Sequence, residues 1–79
     1  MQVQVLGTNC RECSAMEKNV RAAVAELNLD ADVIVITDLM KMMEFNLLET
    51  PGLAVNGKVK AAGRLLDVAE IKAYLQEEL

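Results

Sequence analysis

Residues 1–13 read MQVQVLGTNCREC, a short strand-like run that leads into the chain's only two cysteines, Cys10 and Cys13. Residues 1–6 alternate apolar and polar side chains, as a half-buried strand does. Two thiols at this spacing, between a strand and a helix, can form a disulfide with each other or hold a soft metal ion. The function of the chain depends on whether the pair forms a disulfide or binds a metal ion.

A helix is predicted directly after the strand. Apolar side chains recur on one helical face from residue 10 to about residue 27. Thr8 or Asn9 is expected to cap the start of this helix, and Asn28 is a suitable residue to end it.

A second strand and a second helix follow. Residues 32–36 read DVIVI, and the unbroken β-branched run predicts an interior parallel strand that is covered on both faces. Thr37 or Asp38 can cap a short helix from Leu39 to about Phe45, and Asn46 can adopt the left-handed conformation that ends it.

The last third of the chain predicts a hairpin and a final helix. Asn56-Gly57 lies between the strand-like residues 53–55 and 58–62, and this dipeptide is a strong hairpin signal. Asp67 and Glu70 then form a capping-box pattern ahead of a helix.

The predicted element order is β-α-β-α-β-β-α, an α/β fold. The first two strands, joined through a helix, should be parallel with a right-handed crossover, and the hairpin adds two antiparallel strands. We therefore expect one domain over residues 1–79, with a four-stranded mixed sheet and helices on both of its faces.

Composition excludes several classes of function. The net charge is −4, the basic residues are scattered and there is no histidine, so neither a nucleic-acid surface nor a histidine-based catalytic system is expected. No apolar run is long enough to span a bilayer, and no basic segment or hydrophobic signal core precedes the first strand. We expect a cytoplasmic protein, and in that compartment a Cys-x-x-Cys pair is more often catalytic or metal-binding than structural.

The position of the cysteine pair favours thiol–disulfide chemistry. A helix N-terminus stabilises a thiolate through its free N–H groups and its dipole. Cys10 should be the more exposed thiol and attack a substrate disulfide, and Cys13, one turn later, should resolve the mixed disulfide. A disulfide between them would close only a very small loop, so it would add little stability.

Other uses of the pair remain open on the sequence alone. The main alternative is a Cu(I) carrier of the heavy-metal-associated type, with Met40, Met42 and Met43 as possible extra soft ligands. Such carriers run strand, helix, strand, strand, helix, strand. A tetrahedral zinc site would need ligands from a second chain, and an interaction module with vestigial thiols is a third possibility.

The arrangement of motifs resembles a known family. Residues 45–57, FNLLETPGLAVNG, contain Thr50-Pro51 and the Asn-Gly turn, and Gly63-Arg64 precedes the last helix. With the Cys-x-x-Cys pair after the first strand, this order resembles the thioredoxin fold. It is most similar to the minimal, glutaredoxin-sized thioredoxin-like proteins that are called redox-active disulfide proteins.

The resemblance implies a thiol–disulfide oxidoreductase with catalytic Cys10 and Cys13 and no cofactor or metal beyond that redox disulfide. It also implies a cis peptide at Thr50–Pro51, packed against the pair, where Thr50 presents its backbone to a substrate segment. The implied partners are a disulfide-containing protein and an electron donor of the thioredoxin-reductase type. We expect a monomer that binds neither nucleic acid nor membrane.

The sequence departs from the family pattern in several places, including Asn9, where thioredoxins have a Trp before the first cysteine. Arg11-Glu12 separates the cysteines, in place of the Gly-Pro of thioredoxins or the Pro-Tyr common in glutaredoxins. Gln4 occupies the position of the buried acid that thioredoxins carry. Gly63 is only half of the glycine pair of glutaredoxins, which favours a protein reductase over glutathione as electron donor.

Overall fold

A computed structural model of the chain describes residues 1–8, 10–46 and 49–79. In order, its elements are β1 (Gln2–Leu6), α1 (Arg11–Glu26), β2 (Asp32–Ile36), α2 (Leu39–Glu44), β3 (Gly52–Val55), β4 (Lys58–Ala62) and α3 (Val68–Gln76). This is the predicted β-α-β-α-β-β-α order. No helix in these described ranges is both long and apolar enough to cross a lipid bilayer.

The four strands form one mixed sheet in the order β2-β1-β3-β4. Strand β1 pairs in parallel with β2 and antiparallel with β3, where Leu6 lies opposite Gly52. Strand β4 then pairs antiparallel with β3. Because β1 and β3 are antiparallel, the segment that follows β1 and the segment that precedes β3 lie at the same end of the sheet.

Helices cover both faces of the sheet, as predicted. The larger core lies under α1 and α3, and its members include Val3 and Val5 of β1, Met16 and Val20 of α1, and Ile71 of α3. Alternation along each strand sends the other side chains to the opposite face. There Leu6, Ala54 and Met42 of α2 form a smaller core.

The prediction that residues 32–36 form an interior strand was wrong. Strand β2 is an edge strand, and Ile34 and Val35 are 38% and 42% exposed. A run of β-branched residues indicates a strand but does not fix its place in the sheet. Because β2 has a neighbouring strand on one side only, its apolar run is half-buried.

The predicted asparagines lie at the turns, whereas the residue that caps the first helix differs from the predicted Thr8. Asn28, Asn46 and Asn56 all have positive φ, as left-handed asparagines at helix ends and hairpin turns do. The N-cap of α1 is Cys10, so the prediction of a Thr8 cap was wrong. The other predicted cap, Asn9, lies outside the described residues.

Candidate redox site

Cys10 and Cys13 form a disulfide at the start of α1, with their Cα atoms 5.0 Å apart. Cys10 is the N-cap residue, and its Sγ accepts a hydrogen bond from the backbone N–H of Cys13 at 3.0 Å. A sulfur at this position faces the free N–H groups and the positive end of the helix dipole. Both features favour negative charge on Cys10 once the disulfide is reduced.

The two sulfurs differ in their exposure. Cys10 is partly exposed, whereas Cys13 is only 7% exposed. Gly7 closes one side of the Cys13 side chain. A Cβ atom built on Gly7 would overlap Cys13 Sγ and lie 2.9 Å from Cys13 Cβ. The buried sulfur therefore fits only because residue 7 has no side chain.

Thr50 and Pro51 lie at the same end of the sheet as the cysteine pair. Gly52, the first residue of β3, pairs with Leu6, the last residue of β1. Continuing this antiparallel register places Pro51 opposite Gly7. Gly7 in turn contacts Cys13. The Thr50–Pro51 peptide is cis, Pro51 is buried and Thr50 is exposed. Among the described residues, no hydrogen bond is made to the backbone N–H or C=O of Thr50.

The turn after β4 is tied to this segment. The N–H of Gly63 donates to the C=O of Pro51 at 2.9 Å, and Gly63 has a φ of 87°. The neighbouring Arg64 guanidinium is engaged by the Glu70 carboxylate of α3. That hydrogen bond, together with one from the Asp67 backbone, lowers the pKa of Glu70 below its usual value.

A small cavity adjoins the buried cysteine. Its volume is about 50 Å³, and it is lined by Gly7, Cys13, Ser14, Glu17, Val35 and Thr37. Gly7, Ser14, Glu17 and Thr37 were not among the site residues predicted from the sequence. The one sequence signal was the position of Glu17, one helical turn after Cys13, which places two α1 side chains on the same side.

The three methionines of α2 differ in their burial. Met42 is buried in the smaller core, whereas Met40 and Met43 are largely exposed. Within the described ranges no group of three or more histidine, cysteine or acidic side chains is arranged to hold a metal ion. The strand and helix order also differs from that of the heavy-metal-associated carriers.

Comparison with known proteins agrees with this geometry. The family described as "Thioredoxin domain" matches residues 1–76. A thioredoxin of Methanothermobacter thermautotrophicus is 43% identical over 75 residues, which cover 95% of this chain and 97% of the relative. A thioredoxin of Methanocaldococcus jannaschii is 34% identical over 77 residues, covering 98% of this chain and 88% of the relative.

These matches run through both the cysteine pair and the Thr50-Pro51 segment, and they do not favour the alternative of a Cu(I) carrier. Thiol–disulfide exchange also requires no cofactor beyond the redox-active disulfide. We conclude that the chain belongs to the thioredoxin domain family and is a thiol–disulfide oxidoreductase.

Proposed function

We propose that this oxidoreductase reduces protein disulfides, with Cys10 as nucleophile and Cys13 as resolving thiol. The Cys10 thiolate attacks one sulfur of the substrate disulfide, and the other substrate sulfur leaves as a thiolate. Cys13 then attacks Cys10 Sγ, which forms the Cys10–Cys13 disulfide and releases the second substrate thiolate. Two electrons pass from the cysteine pair to the substrate.

One observation carries this assignment of roles. Cys10 Sγ is the sulfur at the helix N-cap, where it accepts the Cys13 N–H at 3.0 Å, and it is also the more exposed of the two. The helix terminus stabilises its thiolate, and a substrate can reach it. Cys13 is buried, so it reacts with Cys10 rather than with an external disulfide.

The first test measures how fast catalytic amounts of the protein accelerate the reduction of insulin by dithiothreitol. Wild type should accelerate the reaction clearly, and Cys10→Ser should be inactive because no nucleophile remains. If the folded wild type with both thiols intact gives no acceleration, disulfide reduction is not its function, and a Cu(I) titration would be the next measurement.

The second test separates the two roles. Cys13→Ser should accumulate mixed disulfides between Cys10 and its substrate, since the resolving thiol is missing. Those species are visible as a mass increase on non-reducing gels and by mass spectrometry. A Cys13→Ser protein that turns over as fast as wild type would contradict the resolving role.

We further propose that Thr50 and Pro51 form the substrate-binding edge. The absence of intramolecular partners for the Thr50 backbone within the described residues supports this proposal. An extended substrate segment could pair with these groups as an added antiparallel strand next to the cysteines.

The reaction also needs an electron donor that re-reduces the disulfide, and we propose a reductase of the thioredoxin-reductase type. Arg64 forms an ion pair with Glu70, so its guanidinium is already occupied by a carboxylate. A carboxylate of glutathione would have to compete with Glu70 for this cation, which supports a protein donor over glutathione. We also propose that the protein is cytoplasmic. In that compartment thiols are kept reduced, so the cysteine pair would be available for a new turnover.

We propose that the protein is a monomer and that residues 1–79 are one domain. Both edge strands have only five residues, and β4 carries Lys58 and Lys60, features that oppose edge-to-edge pairing. Light scattering should give the mass of one chain. Unfolding followed by Tyr74 fluorescence and by circular dichroism should coincide, whereas separate transitions would indicate more than one folding unit.

A further inference from the structure

The buried position of Cys13 poses a chemical requirement that the cysteine pair does not meet alone. To attack Cys10, the Cys13 thiol must first lose its proton, because only the thiolate is nucleophilic. Burial away from water disfavours the charged form. With Cys13 only 7% exposed, bulk water has little access to the proton, so a nearby acceptor is needed.

The cavity of about 50 Å³ beside Cys13 provides a path for this proton. A site needs roughly 10–15 Å³ to hold a water molecule, together with two to four polar partners. Ser14, Glu17 and Thr37 supply a hydroxyl, a carboxylate and a second hydroxyl around the cavity. Water that occupies it would contact both the Cys13 sulfur and these polar groups.

Glu17 carries the only carboxylate among the residues that line this cavity. Its side chain is 36% exposed, so the carboxylate connects the cavity with bulk solvent. Arg21 binds Oε2 through both Nε and Nη2, each at 3.0 Å. Within the described part of the chain Oε1 has no such partner, which leaves it available for a cavity water.

Gln4, at the position where thioredoxins carry a buried acid, cannot take this role. It alternates with Val3 and Val5 and therefore faces away from α1, on the side of Ala54. Its side-chain amide bonds Gln2 and the backbone N–H of Gly57, in the hairpin at the opposite end of the sheet.

We propose that Glu17 accepts the proton of Cys13 through a water in this cavity during the resolving step. This inference rests on the proposed roles of the two cysteines. The proton passes from Cys13 through the water to the Glu17 carboxylate, and the Cys13 thiolate attacks Cys10 Sγ. The Cys10–Cys13 bond forms, the bond from Cys10 to the substrate breaks, and the substrate sulfur leaves with the electron pair. Glu17 then releases its proton to solvent.

Among the described residues, Glu17 forms an ion pair with one side chain. Arg21 on its own helix is its ion-pair partner. From the sheet side the cavity is lined by Gly7, which follows β1, by Val35 of β2 and by Thr37, which follows β2, and none of these three side chains titrates. Asp38, next to Thr37, is committed to the N-cap of α2, where its Oδ1 accepts from Met40 N–H at 2.9 Å.

The test uses the reduced full-length protein and 5,5′-dithiobis(2-nitrobenzoate), which separates the two chemical steps in a stopped-flow experiment. Attack by Cys10 releases one nitrothiolate, and resolution by Cys13 releases a second. In Glu17→Gln the first phase should be unchanged, and the second should slow by about tenfold or more near neutral pH, since general base catalysis contributes at least this much.

The direction of the effect distinguishes a proton acceptor from a mere charge. Loss of a negative charge near Cys13 would by itself favour the thiolate and speed the second phase. Loss of the acceptor slows it. Between about pH 6 and pH 8 the second phase of Glu17→Gln should also depend more steeply on pH than that of wild type, because hydroxide must replace the carboxylate.

Matched variants complete the design. Glu17→Asp keeps a carboxylate on the same turn and should restore part of the second-phase rate, and it also serves if Glu17→Gln fails to fold. Glu12→Gln removes an acid from the same helix without touching the cavity, and its second phase should not slow. An unchanged or faster second phase in Glu17→Gln would overturn the inference about Glu17. The absence of a second phase in wild type would instead contradict the proposed role of Cys13.

Discussion

At the scale of single residues, Gly7 determines whether the buried sulfur fits. A Cβ at this position would overlap Cys13 Sγ and lie 2.9 Å from Cys13 Cβ. The backbone at residue 7 cannot easily move away from Cys13, because the Gly7 N–H donates a hydrogen bond to the C=O of Ile36 at 3.0 Å. We predict that Gly7→Ala destabilises the protein by about 1–3 kcal/mol, as overpacking of a tight site does. Urea unfolding of the oxidised protein measures this loss.

A double-mutant cycle assigns the loss to the contact with Cys13. Cys13→Ala removes the sulfur that a residue-7 side chain would meet first. In that background the effect of Gly7→Ala should therefore be smaller, with both backgrounds compared in the reduced state. Equal losses in the two backgrounds would show that the strain arises elsewhere.

Thr50 permits a prediction about substrate docking. The proposed edge offers backbone groups to a protein substrate, and an acidic side chain there would place an unpaired charge in the interface. We predict that Thr50→Asp lowers kcat/KM for insulin on the order of tenfold, since each 1.4 kcal/mol of lost binding is tenfold. Exchange with a small disulfide should change much less, because it needs no extended edge.

The matched control for this charge is Ala69→Asp, which adds one carboxylate on the exposed side of α3. It should leave insulin reduction near the wild-type rate. A Thr50→Asp enzyme that reduces insulin as fast as Ala69→Asp would contradict the docking role of this edge.

Some residues of the candidate site could be predicted from the sequence and others could not, for a physical reason. Cys10 and Cys13 could be identified because their spacing along the chain is itself the signal. Gly7 and Thr37 carry no comparable local signal. They meet Cys13 only after β1 and β2 pair and α1 packs on them, so their importance depends on tertiary contacts.

At the scale of elements, the caps and turns were predicted better than burial. The Asn-Gly hairpin and the asparagine that ends α2 follow from backbone preferences that need no tertiary context. The burial of β2 does depend on context. The apolar run of residues 32–36 could be central or peripheral, and only the strand order shows that it lies at an edge.

Helix α3 gives a prediction at this scale. Asp67 Oδ1 accepts from the Glu70 N–H at 2.8 Å, and Glu70 Oε1 accepts from the Asp67 N–H at 3.2 Å. We predict that Asp67→Ala destabilises the protein by about 1 kcal/mol, which is typical for loss of an N-cap. The measurement is the urea midpoint, with Asp30→Ala, an exposed loop position, as control. Equal midpoints for the two variants would contradict a stabilising cap.

At the scale of the whole molecule, strand direction creates the site. The cysteine pair and the Thr50-Pro51 segment are about forty residues apart in the sequence. The antiparallel pairing of β1 with β3 brings both to one end of the sheet, and the Gly63 N–H ties the turn after β4 to Pro51. The predicted element order did not by itself place β3 beside β1, and the nearness of these two segments was expected only from the family resemblance. It could not predict the cavity, because a cavity is defined by how the packed side chains leave space.

The end of the chain is held to the sheet by ion pairs, which predicts how stability depends on pH. The Glu78 carboxylate contacts Lys60 Nζ at 2.8 Å and Lys58 Nζ at 3.2 Å. The Lys60 hydrogen bond, followed by that of Lys58, lowers the pKa of Glu78 below its ordinary value of 4.5. A carboxyl with a lowered pKa in the folded state stabilises the protein above its unfolded pKa, and the contribution is lost as the pH falls through the folded pKa. Glu78→Gln should therefore be less stable than wild type at neutral pH, and the difference should shrink in acid. Thermal unfolding across this range, with the exposed Glu44→Gln as control, measures it. A difference that stays constant with pH would show that the ionisation of Glu78 does not stabilise the fold.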